Sequence, residues 1–104
     1  MTQFSPQHCN LNIHYNLPKK VWNKMPKVYK QLPGWKGWSK EGIPHWFGYD
    51  HDEVSISASV EPSGLQLSGN LDAEVFEVWI ATFKQIATNV LGFEVTEPEL
   101  QTNQ

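Results

Sequence analysis

The chain has 104 residues, of which 39% are hydrophobic and 12% aromatic, a composition that suits one folded domain and excludes intrinsic disorder. The net charge is −3, and the charged residues are unevenly distributed along the chain. Residues 1–40 hold seven lysines and no acid, whereas residues 41–104 hold all eleven acids and one lysine. Cys9 is the only cysteine, which excludes an internal disulfide, and residues 1–8 have no signal-peptide pattern. We therefore expect one cytoplasmic domain over residues 1–104, with residues 1–8 and 97–104 mobile.

The first third of the chain predicts a strand followed by a helix. Residues 9–17 alternate apolar and polar side chains, which is typical of a strand. Pro18 suits the first position of a helix. The apolar residues after it recur at three- and four-residue spacing: Val21, Trp22, Met25, Val28, Tyr29 and Leu32. Pro26 lies inside this pattern, so we expect it to kink the helix or to divide it into two short turns.

The middle of the chain predicts strands and a hairpin. Residues 35–44 suit a loop or a short irregular strand, and residues 43–49 a strand that leads into a polar turn. Residues 54–60 and 65–71 both alternate, and Glu61-Pro62-Ser63-Gly64 between them suits a type I turn closed by glycine. We expect a hairpin with one apolar face and one small, uncharged face.

The end of the chain predicts a helix over residues 72–91, capped by Asp72 and ended by Gly92. Residues 93–95 can add a short final strand. The order is thus β-α-β-β-β-α, with or without a terminal strand. It predicts an α+β domain in which two helices cover one face of an antiparallel sheet of four to five strands.

Patterns for metal binding and catalysis are weak. Four potential metal ligands fall within eight residues: His45, Asp50, His51 and Asp52. They lack the paired spacing of zinc sites and the glycine and glutamate of calcium loops, so we expect no metal and no cofactor. No spacing singles out a nucleophile and base, such as Cys9 with His14 or His45. We therefore expect that the protein is not an enzyme.

The lysine-rich helix face raises the question of nucleic-acid binding. Lysines there could contact phosphates, but the chain has no arginine, which makes the bidentate contacts to phosphates and bases. No apolar run approaches the length of a membrane span. We therefore expect neither a nucleic acid nor a membrane as the direct partner.

Acidic residues flank the uncharged hairpin face. Three acids precede its first strand, and Glu61 follows at the other end, about 25 Å away by strand geometry. A flat surface with an acidic rim suits a basic protein partner. The predicted partner-binding residues are Asp50, Asp52, Glu53, Glu61, Ser57 and Gln66.

Three tryptophans outside the regular stripes support an alternative. Trp35, Trp38 and Trp46 could form an aromatic platform for a sugar or a peptide, or could seal the edge of the core. The alternative function is therefore a small ligand- or carbohydrate-binding module.

Size, element order and aromatic-rich strands carry a resemblance over residues 20–97. It rests on these segments: Gly42-Ile43-Pro44, Trp46-Phe47-Gly48, Ala58-Ser59-Val60-Glu61-Pro62-Ser63-Gly64-Leu65-Gln66, Trp79, Phe83-Lys84 and Leu91-Gly92-Phe93. In them the chain resembles small bacterial immunity proteins of toxin–immunity systems. The resemblance implies a cytoplasmic antidote that binds one cognate toxin domain, often a nuclease, and it assigns no site residues. An acidic surface fits that role because the active faces of nucleases are basic.

Overall fold

Five antiparallel strands and three helices form two layers in a computed structural model that describes residues 4–49 and 51–97. The elements are β1 Ser5–Leu11, α1 Lys19–Trp22, α2 Met25–Gln31, β2 Trp35–Trp38, β3 Pro44–Trp46, β4 Ser55–Glu61, β5 Gly64–Leu71 and α3 Ala73–Leu91. The strands lie in the order β1-β5-β4-β3-β2. This arrangement confirms the predicted α+β fold.

The opening strand begins earlier than predicted. Antiparallel pairing with β5 runs from Ser5 opposite Leu71 to Leu11 opposite Leu65, and the chain then turns before α1. Residues 12–17 are therefore not strand, although they alternate, because β5 offers no partner beyond Leu65. Residues 5–8, which fall in the segment expected to be mobile, lie in β1. Residues 1–3 and 98–104 lie outside the described part of the chain.

The predicted first helix is divided, as Pro26 suggested. The chain leaves α1 after Trp22 and re-enters a helix at Met25, which places Pro26 in the first turn of α2. A proline is tolerated there because its missing N–H would have no intrahelical acceptor. Met25, Val28 and Tyr29 of α2 are buried.

The central strands are shorter than predicted. β3 covers Pro44–Trp46 only, because Phe47 adopts a positive φ of 69° and turns the chain out of the sheet. β2 is a regular edge strand apart from an irregularity between Trp35 and Gly37, where its register with β3 shifts.

The predicted hairpin is confirmed. β4 and β5 pair from Ser55 opposite Asn70 to Glu61 opposite Gly64. Gly64 has a φ of 131°, and a β-carbon there would lie 2.1 Å from the Leu11 carbonyl oxygen of β1. Glycine at this position therefore permits both the turn and the close approach of the neighbouring strand.

The last helix begins and ends as predicted. The Asp72 carboxylate accepts the backbone N–H groups of Glu74 and Val75 at 2.9 and 3.2 Å, and α3 ends at Leu91. The residues after α3 do not form the proposed final strand. They are held by hydrogen bonds, among them one from the backbone N–H of Asn12 to the carbonyl oxygen of Thr96 (3.0 Å).

The last described residue, Glu97, also lies against the fold. Lys84 donates to Glu97 Oε1 at 2.9 Å, and this hydrogen bond lowers the pKa of the Glu97 carboxyl.

The core lies between the sheet and the helices α2 and α3. Trp46 is fully buried and packs against Trp79 at a ring-centroid distance of 5.0 Å, and its indole N–H donates to the Tyr29 carbonyl oxygen at 3.0 Å. Trp79 in turn packs against Phe83 and donates to the Pro33 carbonyl oxygen. One aromatic cluster therefore joins both helices to the central strands.

Candidate protein-binding face

The sheet has a second face that no helix covers. Alternation along β1, β4 and β5 sends Leu11, Ile56 and Leu67 into the core, and their sequence neighbours to the opposite side. Apart from Glu61, which ends β4, the side chains on that side of the three strands include no Asp, Glu, Lys or Arg, and they are half-buried or exposed: Pro6, His8, Asn10, Ser55, Ser57, Ser59, Gln66, Ser68 and Asn70. We call these nine residues the open face.

Two predicted site residues lie together on the open face. Ser57 is opposite Ser68, and Gln66 is opposite Ser59 and Asn10, so Ser57 and Gln66 are diagonal neighbours on adjacent strands. Sheet geometry separates such neighbours by about 7–8 Å. The alternation of the hairpin was sufficient to predict this placement.

The predicted acids lie at the two ends of the open face and do not converge. Asp52 and Glu53 are exposed in the turn before β4, and Glu61 ends that strand, about 20 Å from Ser55 by strand geometry. Asp50, the remaining acid of the prediction, lies outside the described residues. Asp52, Glu53 and Glu61 therefore flank a surface and do not line a pocket.

The flanking acids also make local contacts that the sequence did not reveal. Asp52 Oδ2 accepts the Tyr49 N–H at 2.8 Å, which closes the turn after β3. Glu61 accepts the hydroxyl of Ser59. The Glu53 backbone carbonyl accepts the Asn70 side-chain amide at 2.9 Å, so its carboxylate is not used in that bond.

A loop covers the rest of this side of the sheet. His45 of β3 lies opposite Ser57 yet is only 1% exposed, because the Tyr49 ring packs on it at a centroid distance of 5.0 Å. The Tyr49 hydroxyl donates to the Lys36 carbonyl oxygen of β2 at 3.2 Å, and His45 Nδ1 donates to the Ile43 carbonyl oxygen at 2.9 Å. The open face is thus limited to β1, β5 and β4.

The structure does not bring Cys9 together with His14 or His45 as a nucleophile and base. Cys9 faces the core and His45 the other side of the sheet, while His14 is exposed. Burial raises the pKa of the Cys9 thiol to about 12, so the thiol is protonated at neutral pH. Among residues 4–49 and 51–97, no three His, Cys, Asp or Glu side chains are grouped so as to hold a metal ion.

The three tryptophans do not form one platform. Trp46 is fully buried in the core, Trp35 is half-buried beside it, and Trp38 is exposed. Trp38 instead lines a groove of about 370 Å³ with Trp22 and Tyr29, on the helix side of the sheet. The Trp22 indole N–H, which is buried, has no hydrogen-bond partner among the described residues.

The sorted charge of the sequence becomes a separation between layers only in part, because α3 of the helix layer carries Glu74 and Glu77 and the strand β2 carries Lys36. The five lysines of α1, α2 and the short link between them are all exposed on the helix layer: Lys19, Lys20, Lys24, Lys27 and Lys30. The open face lies on the opposite side of the sheet. A basic partner that approaches the open face therefore meets acids at its ends and is directed away from the lysines.

The sequence did not predict an exposed apolar groove of about 400 Å³ beside the N-terminal half of α3. Phe47, Val75 and Val78 line it and are exposed, and the Trp79 ring and Pro33 form its floor and side. One feature of the sequence could have indicated it: Val75 and Val78 lie off the apolar stripe that includes Phe76, Trp79 and Phe83.

Comparison with protein-family models finds no match, and comparisons with curated proteins and with solved structures find none either. The nineteen-residue α3 and the two shorter helices of the described chain all lack the length or the apolar character that spanning a bilayer requires.

Proposed function

We propose that the chain is an antidote that binds one basic toxin domain through the open face of its sheet and covers the face of that toxin that carries out its chemistry. The observation that carries this proposal is the composition of the open face. Nine side chains on three adjacent strands include no Asp, Glu, Lys or Arg, while acids stand at both ends. Centres of protein interfaces are depleted of charged residues, and their rims are polar.

The geometry of the face supports a protein partner over a small ligand. Small-molecule sites are concave and enclose most of their ligand, whereas the open face is a flat antiparallel ladder. Serine and amide side chains, such as Ser68 and Gln66, offer hydrogen bonds to a partner backbone at little desolvation cost. Asp52, Glu53 and Glu61 at the ends would take the place of the acidic groups that a basic active face normally meets.

The alternative, a carbohydrate-binding module, has less support. It needs several exposed tryptophans on one surface, and only Trp38 of the three is exposed. The groove that Trp38 shares with Trp22 is the only site that this alternative retains.

Co-expression in a bacterial host tests the proposal, with the protein encoded by the neighbouring upstream gene as the candidate toxin. The wild-type chain should restore growth and co-purify with the toxin. The double variant Gln66→Lys, Ser68→Lys should lose both properties, because it places two positive charges on the open face. The double variant Gln85→Lys, Asn89→Lys adds the same charge on an exposed part of α3 and should keep them.

Two results would overturn the proposal. One is equal cell death with and without the wild-type chain, together with the absence of a complex. The other is full protection by the Gln66→Lys, Ser68→Lys variant, once circular dichroism has shown that it is folded.

A further inference from the structure

The apolar groove lies beside the first turns of α3, at the same end of the sheet as Asp52 and Glu53. Val75 and Val78 are 50% and 67% exposed, and Phe47 is 38% exposed. A smaller apolar hollow adjoins it, formed by Phe4, Phe47, Val54, Leu71 and Val75. Phe4 directly precedes β1 and Val54 directly precedes β4, so the groove and the hollow lie at the end of the sheet where these two strands begin.

Local structure gives no reason for valine at these two helical positions. β-Branched residues are poor helix formers, and an exposed valine gains little from packing. Four of the seven large apolar side chains that are exposed in the described part of the chain lie at this one end: Phe4, Phe47, Val75 and Val78. Contiguous exposed apolar surface of this kind marks an interaction site.

The backbone at Phe47 is held in a conformation that presents its ring. Its φ of 69° is uncommon for a bulky residue and strains the backbone. A hydrogen bond from the Phe47 N–H to the Gly34 carbonyl oxygen (2.7 Å) fixes the turn. The phenyl ring is thereby placed on the wall of the groove and outside the core.

The groove is acidic at its rim. Asp72 and Glu74 line it, and Asp52 and Glu53 follow Phe47 in the adjoining turn. No lysine of the described chain lines either the groove or the adjoining hollow. The charge thus favours an occupant that carries positive charge beside an apolar group.

We infer that the groove binds an apolar side chain of the partner that is flanked by lysine or arginine. The inference rests on the proposed function, because it assigns the groove to the same partner as the open face. A buried apolar anchor supplies affinity that a polar, uncharged sheet face does not supply alone. The acids at the rim then pair with the flanking cations.

One double variant and a matched control test the groove against the toxin. Val75→Gln with Val78→Gln should weaken the complex about tenfold or more in isothermal titration calorimetry, since an apolar anchor loses its contacts. Val60→Gln is the control, because Val60 is also 50% exposed but lies near the far end of β4. It should leave the dissociation constant within about twofold. Unchanged affinity in the double valine variant would overturn the inference and leave the proposed function standing.

A second arm needs no toxin. The ¹⁵N-labelled chain is titrated with the peptides acetyl-Lys-Lys-Phe-Lys-Lys-amide, acetyl-Lys-Lys-Ser-Lys-Lys-amide and acetyl-Glu-Glu-Phe-Glu-Glu-amide. The first should shift the amide signals around Phe47, Val75 and Val78, and the other two should bind at least fivefold more weakly. Equal shifts with all three peptides, or shifts confined to other residues, would overturn the inference.

The two arms separate the failure of the inference from the failure of the proposed function. Peptide binding at the groove without any toxin complex would reject the antidote and keep the groove's preference for a basic, apolar segment. A second copy of the chain is the rival occupant. If sedimentation shows a dimer that Val78→Gln dissociates, the groove is a self-association site and the inference is overturned.

Discussion

The phenyl ring of Phe47 lies so close to the backbone of Gly34 that a β-carbon added at Gly34 would fall 2.5 Å from it. Both residues have positive φ, 84° at Gly34 and 69° at Phe47, and the Phe47 N–H donates to the Gly34 carbonyl oxygen. The start of β2 and the end of β3 are thereby joined by two unusual backbone conformations. The wall of the apolar groove depends on this pair.

Substitution at this pair should show a steric coupling. Gly34→Ala introduces strain at positive φ and a clash with the ring, so the free energy of unfolding should fall by about 1–3 kcal/mol. Phe47→Asn suits a positive φ and should change stability by less than about 1 kcal/mol. In the double variant the clash is absent, so the two losses should not add in urea denaturation. Additive losses would contradict the close contact.

Truncation of the aromatic core should be costly. Trp79→Ala and Phe83→Ala each remove a buried ring from the cluster around Trp46, and each should lower the free energy of unfolding by about 3–5 kcal/mol. Gln85→Ala, on the exposed side of the same helix, should change it by less than about 0.5 kcal/mol. A loss at Trp79 as small as that at Gln85 would mean that the inner face of α3 is wrongly assigned.

The Cys9 thiol should be unreactive in the folded protein. Burial raises its pKa from 9.0 to about 12, and the nearby Glu97 carboxylate adds to the rise. Ellman's reagent at pH 8 should therefore label the native chain slowly and the urea-unfolded chain at once. Fast labelling of the native chain would show that the strand edge opens readily.

The raised pKa of the Cys9 thiol should also make the free energy of unfolding depend on pH. Above pH 9 the unfolded thiol loses its proton while the folded thiol keeps it, so the Cys9 contribution to stability is present below pH 9 and is lost as the pH rises towards 12. The difference in unfolding free energy between wild type and Cys9→Ala should shrink over this range. Subtracting the variant removes the contribution of other groups that titrate there, Tyr29 among them.

Local patterns in the sequence were sufficient for the hairpin and for α3. Alternation over residues 54–71 and a helical stripe ended by Gly92 each depend on neighbours within a few residues, and both match the structure. The bounds of β1 and β3 were wrong because they depend on distant partners. β1 extends only as far as β5 offers a ladder, and β3 stops where Phe47 turns towards Gly34.

The same division holds for the candidate site: its local pattern was predictable, and its contacts between distant residues were not. Alternation placed Ser57 and Gln66 on one uncharged face, but nothing local showed that Tyr49 would cover His45 and close the face at β3. The contact between Asp52 and the Tyr49 N–H was equally hidden, and it changes how the acidic rim must be tested. Replacing Asp52 by lysine would disturb the turn as well as the charge.

Under the proposed function, reversal of a rim charge should slow the association of the chain with the toxin. Glu53 suits this test because, among the described residues, its contact is through the backbone carbonyl and not the carboxylate. Asp52 is better replaced by Asn, which keeps a hydrogen-bond acceptor for the Tyr49 N–H. In stopped-flow measurements the double variant Asp52→Asn, Glu53→Lys should lower the association rate constant and flatten its dependence on salt, since steering by rim charges acts mainly on association. The dissociation rate constant should change little, because contacts at the centre of an interface govern it. The double variant Glu77→Lys, Gln85→Lys is the control for net charge, since it also raises the charge by three and both positions are exposed on α3, outside the open face and the groove. If this control slows association as much as the rim variant does, the effect belongs to the total charge of the chain, and the acidic rim of the open face does not steer the association.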